Sequence, residues 1–252
     1  MDVTDRRRRM LDALAETGEL QVAELAARLD CSEMTVRRDL DALERDGVLR
    51  RVHGGAVALP LRRDEVPYAA RTLLHLEAKQ RIGRAVADLL TDGETVVLDS
   101  GTTALEVARH LRGRSLTVLP LGVRPLLELA DDPSTRLIVP GGDVRPGELV
   151  FTGELTEVAF ERLRFDTFVL GCCGIDGRDG VTTHIPEDAR VKRAAVRASR
   201  RTVAVCDATK LGRVAFGHVC GLDGLDRLVT DAGAEEGKVR ALVEAGVAVD
   251  RV

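Results

Sequence analysis

Three short stretches of this sequence group side chains whose types and spacing could do chemistry. Asp99-Ser100-Gly101-Thr102-Thr103 sets a carboxylate, three hydroxyls and a glycine directly after the apolar run Thr95–Leu98. Such a loop brings hydroxyls and free backbone N–H groups to a helix N-terminus, an arrangement suited to an anion such as phosphate. It also reads as an ordinary capped strand-to-helix turn. Asp207-Ala208-Thr209-Lys210 places a carboxylate, a hydroxyl and an amine within four residues. Lys210 fits a solvated loop lysine equally well, although the chain holds only 4 Lys beside 33 Arg. The third stretch, Ser32 to Gly55, carries Ser32, Met34, Thr35, Arg37 and Arg38, then Arg50, Arg51 and His53. Hydroxyl, guanidinium and imidazole groups in that density suit the base edges and phosphates of double-stranded DNA. A solvated helix face is the plain alternative.

These side chains need elements to hold them. Ser32 is a good N-cap, Glu33 favours the positive end of a helix and Gly47 is a natural stop, so a helix is expected between them. Val36, Leu40 and Leu43 recur at i, i+4, i+7 and form its buried stripe. Met34, Arg38, Asp41 and Arg45 fall opposite, with Thr35 and Arg37 on the flanks. Upstream, Leu11, Leu14, Val22, Leu25, Ala26 and Leu29 outline two amphipathic segments, broken at Gly18 and turned at Asp30-Cys31. That is a helix-turn-helix layout. Downstream, Leu49–Val52 and Ala56–Leu59 flank His53-Gly54-Gly55 and predict a hairpin wing. Arg6 to Arg9 read as a basic arm.

From Gly93 onward short apolar strands alternate with helices, which implies a mostly parallel sheet covered on both faces. Strands are expected at Thr95–Leu98, Leu116–Leu119, Arg136–Val139, Thr167–Leu170 and Thr202–Cys206, with weak ones at Leu228–Val229 and Val247–Val249. Helices fit Glu77–Leu90, Ala104–Leu111, Val123–Ala130, Glu154–Leu163, Asp188–Ser199 and Glu235–Ala245. Ligands of such sheets bind beyond the carboxyl ends of the strands. The candidate effector set there is Asp99, Ser100, Gly101, Thr102, Thr103, Gly141, Gly142, Gly171 and Lys210. Gly141-Gly142 and Gly171 are expected to let backbone approach a ligand closely. Neither GxGxxG nor GxxxxGK[ST] occurs. Cys172 and Cys173 read as packing thiols, with redox sensing as the alternative.

Composition narrows the class. A chain of 252 residues, 44% hydrophobic, accommodates one large and one small domain. The expected division is a winged helix-turn-helix over 1–59, a polar connector over 60–76 and an α/β sensor over 77–252. No apolar run reaches membrane-spanning length, and no apolar stretch follows Arg6–Arg9, so neither a membrane partner nor a secretory signal is expected. Five cysteines without metal-ligand spacing point to reduced thiols in the cytoplasm, with no metal and no cofactor. Net charge is −4, and residues 1–59 hold 10 Arg against 12 Asp and Glu. DNA affinity must therefore come from where the arginines sit. One Tyr, five Phe and no Trp argue against single-strand or RNA recognition.

Thr35-Val-Arg-Arg-Asp-Leu40, Leu43-Glu44 and Arg51-Val-His-Gly-Gly-Ala56 closely resemble the N-terminal domain of DeoR-type transcriptional regulators. Tyr68-x-x-Arg71 and Glu77-Ala-Lys79-x-x-Ile-Gly83 resemble the start of that family's sensor domain, a likeness running over residues 68–232. Lys79, Lys192 and Lys210 fall where the family carries lysine. The resemblance implies a DNA-binding regulator, a repressor, whose sensor is folded like ribose-5-phosphate isomerase. It also implies that the Asp-Ser-Gly-Thr-Thr and Asp-x-Thr-Lys loops bind a phosphorylated sugar or related metabolite. Where the family has Thr-Asn-Ser after the second sensor strand, this chain has Pro120-Leu121-Gly122, which removes an amide. One helix-turn-helix reads few base pairs, so a homo-oligomer, dimer or tetramer, is expected. The rival is a sugar-phosphate isomerase with an appended helix-turn-helix, using Asp99, Glu187 or Lys210 as acid or base, but no paired-carboxylate motif supports it. A protein-interaction winged helix beside an inert α/β domain is the third reading.

Overall fold

Met10, Leu11 and Leu14 recur at helical spacing and lie buried on one face of α1 (Val3–Thr17). The computed structural model describes residues 1–58 and 67–252, in two compact units, Met1–Leu76 and Glu77–Val252. After α1 the first unit contains β1 (Glu19–Gln21), α2 (Val22–Arg28), α3 (Glu33–Arg45), β2 (Leu49–Val52), β3 (Gly55–Ala58) and α4 (Tyr68–Leu73). Its core joins the α1 face to Leu25, Val36, Leu40, Leu43 and Leu49, so the stripe read from the sequence is the buried side of α3.

Three features of this unit differ from expectation. The wing has three strands, ordered β1-β3-β2, because Glu19–Gln21 adds antiparallel to β3. That pairing sets Gln21 opposite Gly55, where a Cβ would stand 1.9 Å from the Leu20 carbonyl oxygen, so glycine is required by close backbone approach. Arg6–Arg9 are not an arm but lie within α1. The segment 60–76 is more than a connector in its second half: α4 buries Ala70 and packs Leu73 and Leu74 against the core. The boundary near Pro60 and the connector's first half lie outside the described residues.

The second unit begins with α5 (Leu76–Leu89), β4 (Thr95–Leu98), α6 (Thr102–Leu111), β5 (Thr117–Pro120), α7 (Val123–Leu129) and β6 (Arg136–Leu137). It continues with β7 (Asp143–Arg145), β8 (Val150–Thr152), α8 (Glu154–Arg162), β9 (Phe165–Gly171), β10 (Gly174–Asp176), β11 (Gly180–Thr183) and α9 (Pro186–Ala198). β12 (Ser199–Val205), β13 (Gly217–Cys220), β14 (Arg227–Thr230), α10 (Glu236–Glu244) and β15 (Ala248–Arg251) complete it.

Seven of these strands form a parallel sheet ordered β15-β14-β12-β9-β4-β5-β6. Val97 and Phe168 enter one core, while Val96, Leu98 and Val169 enter the other, so both faces are covered. From β4 the chain first builds outward through β5 and β6, then returns and builds the other way from β9. The β4/β9 junction is therefore the topological switch point, where such sheets leave a crevice for ligands. Two small antiparallel additions were not foreseen, the β7–β8 hairpin and the sheet β10-β11-β13.

Candidate DNA-reading face and effector crevice

Ser32 caps α3 as expected, accepting the Thr35 N–H at 3.2 Å, and the two hydroxyls lie 2.9 Å apart. Met34 is 59% exposed. Arg37 is exposed and pairs with Glu33 at 2.9 Å, one turn back. Arg51 is half-buried: its N–H donates to Glu44 Oε1 at 2.7 Å and its Nε approaches Asp41 Oδ1 at 3.5 Å. It thus ties the wing to α3. Arg6 and Arg7 hold the buried Asp39 carboxylate at 2.6 and 3.0 Å, and Arg8 and Arg9 pair with Asp5. Arg38 on α3, and Arg50 and His53 on the wing, are exposed with no ion-pair partner among the described residues. The sequence put all these cations in one class; the structure separates anchors from free groups.

In the second unit Asp99 is fully buried at the end of β4. Its Oδ1 accepts the Ser100 N–H at 2.7 Å, and its Oδ2 accepts the Gly171 N–H at 2.8 Å, across the switch point. The Lys192 ammonium, from α9, lies 2.8 Å from the same Oδ2 and donates to the Gly171 carbonyl at 2.9 Å. Burial alone would lower the Lys192 pKa, but Asp99, Cys173 and Asp188 outweigh it and hold it above the ordinary lysine value. Asp99 is thus an organiser of the loop, with its oxygens already engaged. The loop turns at Gly101, whose φ of 96° is glycine territory, and nothing stands within 4 Å of the place a Cβ would occupy. Thr102 is buried, Ser100 and Thr103 are half-buried, and the first-turn N–H groups of α6 have no intrahelical acceptor.

The other expected residues scatter. A Cβ on Gly142 would meet Thr156 Oγ1 at 2.3 Å, and Thr156 donates to the Gly141 carbonyl at 2.7 Å, so this pair packs on the start of α8. Lys210 is half-buried and has no acidic partner among the described residues. Its loop follows β12, which β9 separates from β4, so roughly 10 Å of sheet lies between the two loops. Leu121 is a core residue, with its N–H on the Leu98 carbonyl and its carbonyl receiving the Phe151 N–H. Apolar packing thus occupies the position of the missing amide.

Sequence reasoning missed the polar groups beside Lys192. Asp188 stands one turn earlier on α9 and is 6% exposed, and Arg145 from β7 donates to its Oδ2 at 2.9 Å. Burial raises the Asp188 pKa against the pull of Lys192 and Arg145. Cys173 also differs from its packing assignment. Burial pushes its thiol up, but hydrogen bonding from His184, the Lys192 charge and Thr183 bring it down to about 7. Cys172 does pack, and its hydrogen bond with burial raises the Cys206 pKa. The i, i+4 spacing of Asp188 and Lys192, in a chain so poor in lysine, was the available signal.

Residues 6–60 match the profile of the DeoR-like helix-turn-helix domain, and residues 74–232 match the DeoR C terminal sensor domain. The chain belongs to the DeoR family of transcriptional regulators. It is 35% identical over 241 residues to the uncharacterized HTH-type transcriptional regulator YgbI of Escherichia coli, covering 95% of this chain and 94% of that one. To the glycerol-3-phosphate regulon repressor of Escherichia coli it is 32% identical over 235 residues, 92% of each chain. Among solved structures it is similar to a probable sor operon regulator from Shigella flexneri, with TM-score 0.46, 10% identity, and coverage of 67% of this chain and 88% of that one. Ribose 5-phosphate isomerase A of Methanocaldococcus jannaschii aligns with TM-score 0.41 and 12% identity over 54% of each chain. Family membership sets aside the isomerase alternative, since DeoR proteins are regulators rather than enzymes. The geometry agrees: Asp99 is sealed in its ion pair and Glu187 is exposed. Among the described residues no helix is long and apolar enough to cross a membrane.

Proposed function

We propose that this DeoR-family protein is a cytoplasmic repressor whose grip on a double-stranded DNA operator is altered by a phosphorylated sugar or related metabolite. The observation that carries the reading is the Asp99–Lys192–Gly171 arrangement, which pins the Ser100–Thr103 loop at the switch point with its α6 N–H groups unused by the helix. The ligand phosphate sits on those groups, and Lys210 reaches it from across β9. The glycerol-3-phosphate regulon repressor, similar over nearly the whole chain, supports both the repressor role and a phosphorylated effector. Arg38, Arg50 and His53 contact DNA directly, with Ser32, Met34, Thr35 and Arg37 beside them. Two or four copies act together. The effector controls DNA binding only by favouring one arrangement of the protein, since equal affinity for both would shift nothing.

The test uses full-length protein and DNA obtained by in vitro selection. DNA affinity is followed by fluorescence anisotropy against a panel of pentose, hexose and triose phosphates. At least one should change the affinity of wild type, and Gly101→Val and Lys210→Ala should remove that change. Two variants that respond like wild type would place the ligand elsewhere.

A further inference from the structure

The Arg145–Asp188 pair leaves two buried polar atoms unused beside Lys192. Asp188 Oδ1 and Arg145 Nε are both buried, and neither has a hydrogen-bond partner. Buried polar atoms normally find partners, so an unmatched acceptor beside an unmatched donor marks a place where something else binds. Their location fits the crevice. Asp188 and Asp99 both act on the Lys192 ammonium, which spends two of its three protons on Asp99 and the Gly171 carbonyl. The hairpin carrying Arg145 adjoins the anion loop through Gly122, which bridges to Val150 and whose Cβ position is 3.1 Å from the Ser100 Cβ.

We propose that Asp188 Oδ1 and Arg145 Nε form a hydroxyl-recognition pole of the effector crevice, selecting a phosphate ester that bears free hydroxyls over a bare alkyl phosphate. A hydroxyl group both donates and accepts, so one sugar or polyol hydroxyl satisfies both atoms: its proton goes to the carboxylate and its oxygen takes the guanidinium N–H. An alkyl group placed there leaves both atoms unpaired, and sites built this way reject the ligand that lacks the hydroxyl. The buried Leu121 side chain offers no polar group of its own. The phosphate half of the proposal rests on the anion-loop reading above; the hydroxyl half does not.

Titration calorimetry on full-length wild type, Asp188→Asn and Arg145→Gln separates the two halves. The probes are propyl phosphate, glycerol 3-phosphate, ribose 5-phosphate and fructose 6-phosphate, with unphosphorylated glycerol, ribose and fructose. Wild type should bind at least one hydroxylated ester about 10-fold or more tightly than propyl phosphate, and each variant should lose that factor while keeping its propyl phosphate affinity. Binding of free sugars that depends on Asp188, without binding of any ester, would keep the pole and overturn the anion loop. A preference equal in wild type and both variants, or no preference in wild type, overturns the pole. No binding of any probe overturns both. Thermal unfolding checks each variant, and if Asp188→Asn does not fold, Arg145→Gln decides.

Discussion

The Lys192 ammonium lies 2.8 Å from the Asp99 carboxylate, and both side chains are sealed from solvent. One residue comes from α9 and the other from the end of β4, so this ion pair clamps a surface helix onto the switch point of the sheet. A buried pair of this kind is worth little relative to apolar packing, but breaking it strands a charge.

Lys192→Met should therefore cost the sensor unit about 3–5 kcal/mol, measured by chemical denaturation, with part returned by adding Asp99→Asn. The Lys192 pKa is raised on folding, so its contribution is fully present below the unfolded lysine value of about 10.4. It is lost only as pH climbs beyond that through the higher folded value. A loss under about 1 kcal/mol for the single variant would show that the clamp is not important to the fold.

Alkylation should find Cys173 first. With its thiol near 7, against an ordinary 9.0 and a Cys220 raised to about 11, its rate with iodoacetamide should rise through neutral pH. A folded thiol pKa below the unfolded one gives stability that is complete above the unfolded value and fades as pH falls through 7. Peptide mapping that finds Cys220 or Cys206 labelled before Cys173 would contradict this assignment.

On the DNA face the free and the anchored arginines should separate. Arg38→Ala should weaken binding to selected DNA by about 1–3 kcal/mol if it reads a base. Arg50→Ala, on the wing, should flatten the salt dependence by roughly one unit of slope if it meets a phosphate. Anisotropy titrations at several salt concentrations measure both. Wild-type behaviour in the two variants together would remove this face from the groove.

Asp39 makes the opposite prediction. Its carboxylate is 3% exposed and holds Arg6 and Arg7 of α1 against α3. Asp39→Ala should lower the stability of the first unit by about 2 kcal/mol, below the full cost of a broken buried pair because Arg7 stays partly solvated. DNA affinity should then fall only as far as the folded fraction falls, which thermal unfolding beside anisotropy will show.

Sedimentation velocity should find at least two 27.2 kDa chains per particle at micromolar concentration, since one winged helix reads too few base pairs for a specific site. Monomer alone, with and without DNA, would count against paired reading heads.

Legibility followed the range of the interactions. α3 could be read because Ser32, Gly47 and the Val36-Leu40-Leu43 stripe are local marks on one helix. The strands β4, β5, β9 and β12 could be read because sheet interiors demand short apolar runs. The Asp99 loop was found as a strand-to-helix turn, but its role as an organiser depends on Gly171 and Lys192, which only the folded sheet brings to it. Arg145 and Asp188 are 43 residues apart, on a three-residue strand and a helix start, and nothing local links them. The lowered Cys173 thiol was hidden for the same reason, because His184 and Lys192 act on it through space. At Gly142 a glycine needed for packing on Thr156 and one needed for ligand approach look alike in a sequence.

The seat proposed for the effector is assembled from chain segments that leave the ribosome far apart in time. The DNA-reading unit is complete by Leu76, whereas the crevice closes only when β9 has paired with β4 and Lys192 has been added. Domains fold in the order of their synthesis, so a growing chain acquires its reading head long before its sensor unit is whole. Any chain cut short before α9 would keep the head and lack the pinned loop.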